Sequence, residues 1–325
     1  MIIACVVDED IIAAVRRLEG SSRRAICDIS VMRALRMLGQ DVHLVAARGP
    51  ATRTLRDLQD LIKLKPGLVF NLAYSATPDE ASFAGALEIL QIPFTGSGAV
   101  AIGIANDKLR SRHLMKAAAI PVPSFVMLPH GRAPRKFDIT PPYIVKPVEL
   151  ANSQGIGAGS VVQTRAQAIA LADKIWRRFA VPSVCDTFIV GREFHVGLVE
   201  TRRSFQVTAI TELRFAEAAP GFGFKSESVR THGKVRRAHD ISERVARLPC
   251  RMSAEMAEIS RHAAEVLNLR GYAKIDLRMD DQGRIFVIEA NANPGLWSKS
   301  PMWRRPGFMK NIRHIIDAAR RRARE

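Results

Sequence analysis

The segment that decides the fold is YAKIDLRMDDQGRIFVIEANANPG, residues 272–295. Two largely apolar runs, 272–279 and 284–291, are separated by Asp-Asp-Gln-Gly, which is typical of a hairpin turn between antiparallel strands. The second run ends in Glu-Ala-Asn and is followed by an Asn-Pro-Gly turn. The hairpin therefore carries polar side chains at its open end, where they either face solvent or bind a ligand.

The alternation of side chains along a strand groups these polar residues on one face. If the four turn residues form a symmetric loop, Asp276 lies opposite Val287 and is the diagonal neighbour of Glu289. Asp276 then shares its face with Glu289 and Asn291. A register change of one residue would send the acids to opposite faces, so this prediction depends on the loop.

Two carboxylates and a carboxamide on one face are hard oxygen ligands of the kind that Mg²⁺ prefers. Mg²⁺ normally keeps substrate phosphates and waters in its remaining positions, so this face predicts a metal and phosphate site. Adjacent acids repel each other without a cation, and Lys274 on the same face offers a second means of compensation. The alternative is an exposed hairpin with ordinary surface charge, which would be favoured if the hairpin stood alone.

Several lysines elsewhere in the chain favour an anionic ligand. Lys146 ends the apolar run in PYIVKP, where burial of an unpaired lysine is costly. The glycine-rich segment 151–160 follows and would let backbone amides approach phosphate oxygens, with the Ser153 hydroxyl as a further donor. It is not a P-loop, because G-x-x-x-x-G-K-[ST] is absent. Lys108, at a helix start, and Lys225, in GFGFKSES, could each also be a solvated surface lysine.

The chain divides into three parts by pattern. In residues 1–104, short apolar runs alternate with helical periodicity, which predicts a doubly wound α/β domain with a parallel sheet. Residues 105–185 mix antiparallel strands with helices, one of them with Thr164 as its N-cap. Residues 186–325 hold longer strands, among them a continuous one over 187–199, a long helix and the acidic hairpin. The predicted fold class is therefore α/β combined with α+β.

Composition places the chain among globular proteins. It has 325 residues, of which 47% are hydrophobic and 25% charged, enough for two or three domains. No apolar run is long enough to cross a membrane, and the N-terminal run is too short for a signal peptide. Four widely spaced cysteines form no C-x-x-C pair, which argues against a zinc knuckle or a disulfide scaffold and indicates a cytoplasmic location.

The net charge of +17 raises the alternative of a nucleic-acid-binding protein. The basic residues are spread along the chain, however, and zinc-finger spacing, an RNP-like motif and a basic region followed by heptads are all absent. A solvated basic surface is favoured, so nucleic acid is not expected as a partner.

From about Val69 onward, the chain resembles the ATP-grasp superfamily and, within it, the D-alanine–D-alanine ligase family. The matching segments are FNLAYSATPDE, ALEILQIPFTGSG, the Asn-Asp-Lys at 106–108, IVKP, GREFHVG, KIDLRMDDQGRIFVIEANANPG and Ser300. The resemblance implies a three-domain ATP-grasp fold, with an N-terminal domain over 1–104 and ATP between the subdomains 105–185 and 186–325. It also implies Mg²⁺, with Mn²⁺ as an alternative, and a homodimer as one state of assembly.

By this resemblance the site residues fall into three groups. The nucleotide would be bound by Lys108, Lys146, Ser153, Gly155, Asp186, Phe188, Ile189, Glu193 and Lys225. The metal ligands would be Asp276, Glu289 and Asn291. The substrate carboxylate and the developing oxyanion would meet Lys274, the backbone of Gly295, and Ser300, with Ser226 supplying a hydroxyl.

The implied reaction joins a small-molecule carboxylate and an amine as an amide, through an acyl phosphate formed with ATP. One alternative is an ATP-grasp kinase or carboxylase that forms no amide. Another is a nucleotide-binding protein without turnover, but such a protein has little need for the acidic metal face.

The departures from the family lie on the amino-acid side of the site. After the first strand, no residue clearly takes the role of the glutamate in the family's Gly-Gly…Ser-x-Glu-Arg segment, which grips the amine of the first substrate. The other changed positions are Ala151-Asn152-Ser153 for Gly-Ser-Ser, Tyr74 for a histidine, Lys225-Ser226 for Lys-Tyr, and Lys274 for the arginine of Arg-Ile-Asp. Lysine cannot offer a carboxylate the bidentate fork of arginine. These changes predict substrates other than D-alanine paired with D-alanine.

Overall fold

The computed structural model describes residues 1–19, 22–47, 51–73, 79–131, 134, 136–150, 155–214, 242–303 and 307–325. The strands in these residues are β1 Ile2–Asp8, β2 Asp41–Ala47, β3 Leu68–Asn71, β4 Phe125–Leu128, β5 Tyr143–Pro147, β6 Val161–Val162, β7 Ser183–Thr187, β8 Arg192–Glu200, β9 Phe205–Arg214, β10 Ser242–Val245, β11 Tyr272–Met279 and β12 Ile285–Asn291. The α-helices are α1 Glu9–Arg16, α2 Arg23–Met37, α3 Ala51–Leu64, α4 Asp79–Ile89, α5 Ala99–Asn106, α6 Lys108–Ala117, α7 Arg165–Phe179, α8 Cys250–Val266 and α9 Phe308–Arg322.

The first sheet is parallel, as the alternation of strands and helices predicts, with the order β2-β1-β3. Helices cover both of its faces, so the side chains of β1 alternate between two apolar clusters: Ile3 and Cys5 belong to one, Ala4 and Val6 to the other. The run Ile92-Pro93-Phe94 adds only a single parallel bridge to this sheet, between Val69 and Phe94. Proline at the centre of that run cannot donate to a ladder, which limits the pairing.

Local signals set several helix ends as predicted. Thr164 caps α7 in a reciprocal capping box with Gln167. The side chain of Asp107 accepts hydrogen bonds from the backbone amides of Leu109 and Arg110 in the first turn of α6. The sequence analysis missed α1, α4 and α5. The signal for α1 was available, because Glu9 and Asp10 stand in its first turn and Arg16 in its last, an arrangement that complements the helix dipole.

The other two sheets of the described residues are antiparallel, with the orders β4-β7-β5-β6 and β10-β9-β8-β11-β12. The continuous strand expected over 187–199 is wrong: β7 ends at Thr187, and the chain leaves strand geometry before β8 begins. Gly191 makes this break, since its φ is +143° and a Cβ there would lie 2.1 Å from the carbonyl oxygen of Met279. The break carries the chain from the second sheet to the third, so a cleft opens between them.

The C-terminal part of the chain is anchored in the N-terminal core. Trp303, which precedes α9, and Ile315, which lies on α9, pack in the same buried cluster as Ile3 and Leu35. The proposed domain boundaries at 104 and 185 fall inside α5 and β7 respectively. The sheets themselves separate the three parts, whereas the exact boundaries stay a proposal. No helix in the described residues is long and apolar enough to cross a membrane.

Candidate active site

The β11–β12 hairpin has a different register from the predicted one. Asp276 lies directly opposite Glu289, and Leu277, rather than Asp276, lies opposite Val287. The register shifts between Asp276 and Leu277, which leaves Ile288 as an extra residue on β12. The prediction that Asp276 faces Val287 is therefore wrong.

The two acids nevertheless share a face, because two register changes cancel. Met279 pairs with Ile285, so the loop holds five residues, 280–284, instead of four. That change alone would turn Asp276 and Glu289 to opposite faces. The bulge shifts the register by one further residue and restores the shared face.

The face of the third sheet that lines the cleft is organised in rows across neighbouring strands. The first row holds Glu193 on β8 and Arg278 on β11; the second holds His195, Asp276 and Glu289; the third holds Gly197, Lys274 and Asn291. Successive rows are two residues apart, about 7 Å along a strand. All of these residues except Gly197 line one cavity together with Lys146 and Asp186 of the second sheet.

The second row, called the acidic row, carries negative charge that Lys274 compensates. Its Nζ lies 2.7 Å from Oδ1 and 2.8 Å from Oδ2 of Asp276. Burial opposes the charge of Lys274, but the negative charges of Asp276, Glu289 and Glu243 together outweigh burial, so the pKa of Lys274 is raised above its ordinary value. Asn291 lies beside the same carboxylate, with 3.5 Å between its Nδ2 and Oδ2 of Asp276. The structure thus brings together the three predicted metal ligands and the lysine that offers the alternative compensation.

Two lysines predicted to bind nucleotide are buried: Lys146 lines the cavity, and Lys108 lies beside Glu289, which also lines it. Lys108 donates to the carbonyl oxygen of Leu150 and lies 3.8 Å from the carboxylate of Glu289. Lys146 lies 3.3 Å from Asp186. Burial lowers the pKa of both lysines from the ordinary value. Phosphate groups bound in the cleft would offset the cost of burying these two charges, because an anion favours the charged form of a lysine.

Arg112 connects α6 with β7 and β12, and the sequence analysis missed it. Its side chain is 1% exposed and lies 2.7 Å from Asp186 on β7. It also donates to the carbonyl oxygens of Lys108 and of Ile288, the bulge residue of β12. The sequence shows an arginine one turn after Lys108, but only the fold shows that it is buried and which groups it connects.

We expect Arg112→Met to lower the free energy of unfolding by about 3 kcal/mol, because breaking a buried ion pair leaves an uncompensated charge. Urea titration followed by circular dichroism measures this change. Arg110→Met is the matched control, since Arg110 is on the same helix and its side chain is 74% exposed; its effect should stay below about 1 kcal/mol. Equal effects of the two substitutions would contradict the bridging role of Arg112.

His195 is a second residue that the sequence analysis missed. It is buried, and its Nδ1 lies 3.3 Å from Glu243, which also accepts a hydrogen bond from the hydroxyl of Thr211. Its Nε2 lies 3.8 Å from Asp276 and 4.0 Å from Glu193. The carboxylate on one side therefore orients the ring toward the acidic row.

Part of the cavity lining is apolar, as a slot for a planar base would be, and this part is called the apolar slot. Phe188 and Ile189, which follow β7, line the cavity together with Pro123, Ile144 and Ile156, and Phe188 lies next to Arg278 of the first row. Asp186, by contrast, is 1% exposed, and its carboxylate is held by Arg112 and Lys146. The structure therefore places Phe188 and Ile189 at the apolar slot, whereas Asp186 lies beside Lys146.

The predicted oxyanion residues lie outside the residues that line this cavity. The carbonyl oxygen of Gly295 accepts a hydrogen bond from Trp303, and the hydroxyl of Ser300 accepts one from the backbone of Met302. Gly295 also approaches α2, since a Cβ on it would lie 3.2 Å from the sulfur of Cys27. Gly295 and Ser300 are therefore not among the residues that line the cavity with Asp276, Glu289 and Asn291. Their role stays a prediction.

Three predicted site residues, Ser153, Lys225 and Ser226, lie outside the described residues, as does Tyr74. Gly155 is described and has a φ of +73°. A Cβ on it would meet Pro147 at 2.8 Å, so this position next to β5 requires glycine.

The comparisons with known proteins point to one family. The family model for the D-ala D-ala ligase C-terminus matches residues 114–311. A D-alanine–D-alanine ligase of Chromohalobacter salexigens is 31% identical over 250 residues, which cover 75% of this chain and 73% of the relative. The chain belongs to the D-alanine–D-alanine ligase family.

Solved structures show that the fold is shared over the full length. A D-alanine–D-alanine ligase from Bacillus anthracis in complex with ATP superposes with a TM-score of 0.75 at 19% identity, covering 100% of this chain and 99% of that one. The VanG D-Ala:D-Ser ligase from Enterococcus faecalis gives 0.71 at 17% identity, covering 98% and 99%. The expected ATP-grasp fold, and the class of ATP-dependent ligase that forms a C–N bond, are confirmed.

The donor set fits the divalent cation that the resemblance implies. Asp276 and Glu289 are cross-strand neighbours, and Asn291 follows on the same face, so two carboxylates and an amide line the same part of the cavity. No group of three or more His, Cys, Asp or Glu side chains in the described ranges is arranged to hold a metal by itself. Mg²⁺ suits such a site, since it takes its remaining ligands from phosphates and water.

Proposed function

We propose that this D-alanine–D-alanine ligase family member joins two small molecules, a carboxylate and an amine, as an amide, with ATP and Mg²⁺ (or Mn²⁺). The observation that carries the proposal is the arrangement of three polar rows on one sheet face. They run from the apolar slot at Phe188, through Asp276 and Glu289, to Lys274 and Asn291. A nucleoside triphosphate has the same order of parts: a planar base, a ribose and a chain of anionic phosphates.

Each row supports one part of the reaction. Glu193 would accept the ribose hydroxyls beside the apolar slot. Lys108 and Lys146 would neutralise phosphate charge. Asp276, Glu289 and Asn291 would hold the cation, which when bound shields the charge of the transferring phosphoryl group. Because these groups are fixed before the substrate arrives, they stabilise charge in the transition state without reorganisation.

The third row would orient the carboxylate that becomes phosphorylated. Lys274 points into the cavity next to Asp276, where its ammonium can hold a carboxylate oxygen toward the phosphates. The carboxylate attacks the γ-phosphoryl group to give an acyl phosphate and ADP. An amine then attacks the acyl carbon, and phosphate leaves as the amide forms. Lysine binds a carboxylate as a point charge rather than as a fork, which supports a substrate pair other than D-alanine with D-alanine.

The decisive experiment is phosphate release from ATP and Mg²⁺ with a panel of D- and L-amino acids, hydroxy acids and small amines, with mass analysis of the products. We expect release that requires both a carboxylate and an amine, together with an amide product. Release with a single substrate, and a phosphorylated product, would instead identify a kinase. Binding of nucleotide without any release would identify a protein without turnover.

A further inference from the structure

Arg278 is a buried cation inside the nucleotide end of the cavity. It is 4% exposed and lines the cavity between the apolar slot and the acidic row. Its guanidinium carbon lies 4.6 Å from the ring centroid of Phe188. Burying a guanidinium away from water is energetically costly. A side chain buried at such a cost needs a function that an apolar residue could not supply.

The contacts of Arg278 converge on Glu193. Nη1 of Arg278 lies 3.1 Å from one carboxylate oxygen of Glu193, and Nη2 donates to the carbonyl oxygen of Gly191 at 2.9 Å. The guanidinium therefore connects Gly191, which separates β7 from β8, with Glu193 near the start of β8. His195 lies 4.0 Å from the other oxygen of Glu193, beyond hydrogen-bonding distance. In the described residues, Arg278 is therefore the group that fixes the orientation of this carboxylate.

The position of Glu193 matches the ribose of a bound nucleotide. It lies in the row between the apolar slot and the row of Asp276 and Glu289, as ribose lies between base and phosphates. A carboxylate with one oxygen held by a guanidinium can present the other to a sugar hydroxyl without losing rotamer freedom on binding.

We propose that Arg278 is a positioning residue for ribose recognition, which aims the carboxylate of Glu193 at the 2′- and 3′-hydroxyls of the nucleotide. The inference rests on the proposed nucleotide-binding function. It assigns the ribo-versus-deoxyribo selectivity of this protein to the Arg278–Glu193 pair, while the apolar slot around Phe188 selects for a planar base.

Calorimetric titration of the full-length protein with Mg²⁺-bound ADP, 2′-deoxy-ADP, 3′-deoxy-ADP and GDP tests the assignment. We expect the unmodified protein to bind ADP about 10-fold or more tightly than the deoxy analogues, as expected for a hydrogen bond to a charged group. In Arg278→Met this ratio should fall to about 2-fold, since methionine packs against Phe188 but cannot hold the carboxylate. Arg278→Lys keeps the charge without the planar fork, so its ratio should be intermediate.

Arg284→Met is the matched control, because Arg284 is in the loop of the same hairpin and its side chain is 65% exposed. It should leave the ratio unchanged. Equal weakening of all nucleotides in Arg278→Met, with the ADP to deoxy-ADP ratio intact, would reduce Arg278 to a structural role. A changed ADP to GDP ratio alone would make it a reader of the base instead.

If Arg278→Met does not fold, the Arg278→Lys ratio decides the matter, and an unchanged ratio there overturns the inference. Failure of the unmodified protein to bind any nucleotide would defeat the proposed function, and this inference with it. Intact binding with an unchanged ratio in both variants would defeat the inference alone.

Discussion

Glu289→Gln should reduce the rate of amide formation about 100-fold or more, the usual cost of removing one charge-stabilising group from an active site. The substitution keeps the size of the side chain but removes the negative charge opposite Asp276. It also leaves Lys108, 3.8 Å away, without this partner. Phosphate release and product formation at saturating ATP, across a range of Mg²⁺ concentrations, measure the effect.

Glu289→Gln should lower the rate of the reaction without lowering the stability of the fold. Glu289 is partly exposed at 31%, so thermal unfolding of the variant should match that of the unmodified protein. Asp281→Asn, an exposed acid at the tip of the same hairpin, is the control and should retain full activity. Unchanged turnover in Glu289→Gln would remove Glu289 from the metal site and weaken the proposed function.

The second large effect concerns Asp28, a carboxyl group in the N-terminal core. Asp28 is 0% exposed, and neither of its oxygens has a hydrogen-bond partner within the described residues. Burial raises its pKa to about 8, with Arg24 opposing and Asp10 reinforcing the shift. Its neutral form is therefore favoured in the folded state.

A raised carboxyl pKa gives a definite sign to the dependence of stability on pH. The neutral group contributes fully below the pKa of the unfolded chain, near 3.8, and this contribution is lost as the pH rises toward 8. We expect the free energy of unfolding to fall by roughly 4 kcal/mol between pH 5 and pH 8 from this one group. Asp28→Asn cannot ionise, so it should abolish that slope and be the more stable form at pH 8.

Urea titrations at pH 5, 6, 7 and 8 on both proteins give the difference directly, because shared titrations cancel. Asp317→Asn, which alters an exposed acid on α9, is the control and should keep the slope of the unmodified protein. Parallel pH profiles for Asp28→Asn and the unmodified protein would show that Asp28 is ionised and compensated in the folded state.

The acidic hairpin shows how far sequence reasoning reaches. Its two strands, the position of its turn and the shared face of Asp276 and Glu289 were predicted correctly. The register behind that shared face was wrong, since the five-residue loop and the bulge at Ile288 were both missed. A bulge leaves no clear mark on an apolar run, because it is selected by the packing of neighbouring strands and by contacts such as that of Arg112 with the carbonyl oxygen of Ile288.

The residues that support the site were harder to predict than those that would meet the ligand. Arg112 lies outside every segment that the sequence analysis used, and His195 and Arg278 were given no role although they lie within GREFHVG and KIDLRMDDQGRIFVIEANANPG. Each acts through a partner distant in the chain: Asp186 for Arg112, Glu243 for His195 and Glu193 for Arg278. In a sequence, such a residue looks the same as a charged residue on a solvated surface.

The sequence by itself determined many of the strands and helices, the parallel first sheet and the types of ligand group, because periodicity, turn residues and donor chemistry are local properties. It also determined the family, since ordered segments match along most of the chain. Only the tertiary structure decided which side chains meet: the bulge that sets Asp276 against Glu289, the burial of Arg112, and the pairing of Arg278 with Glu193. These depend on the alignment of strands far apart in the chain, where a shift of one residue reverses every face.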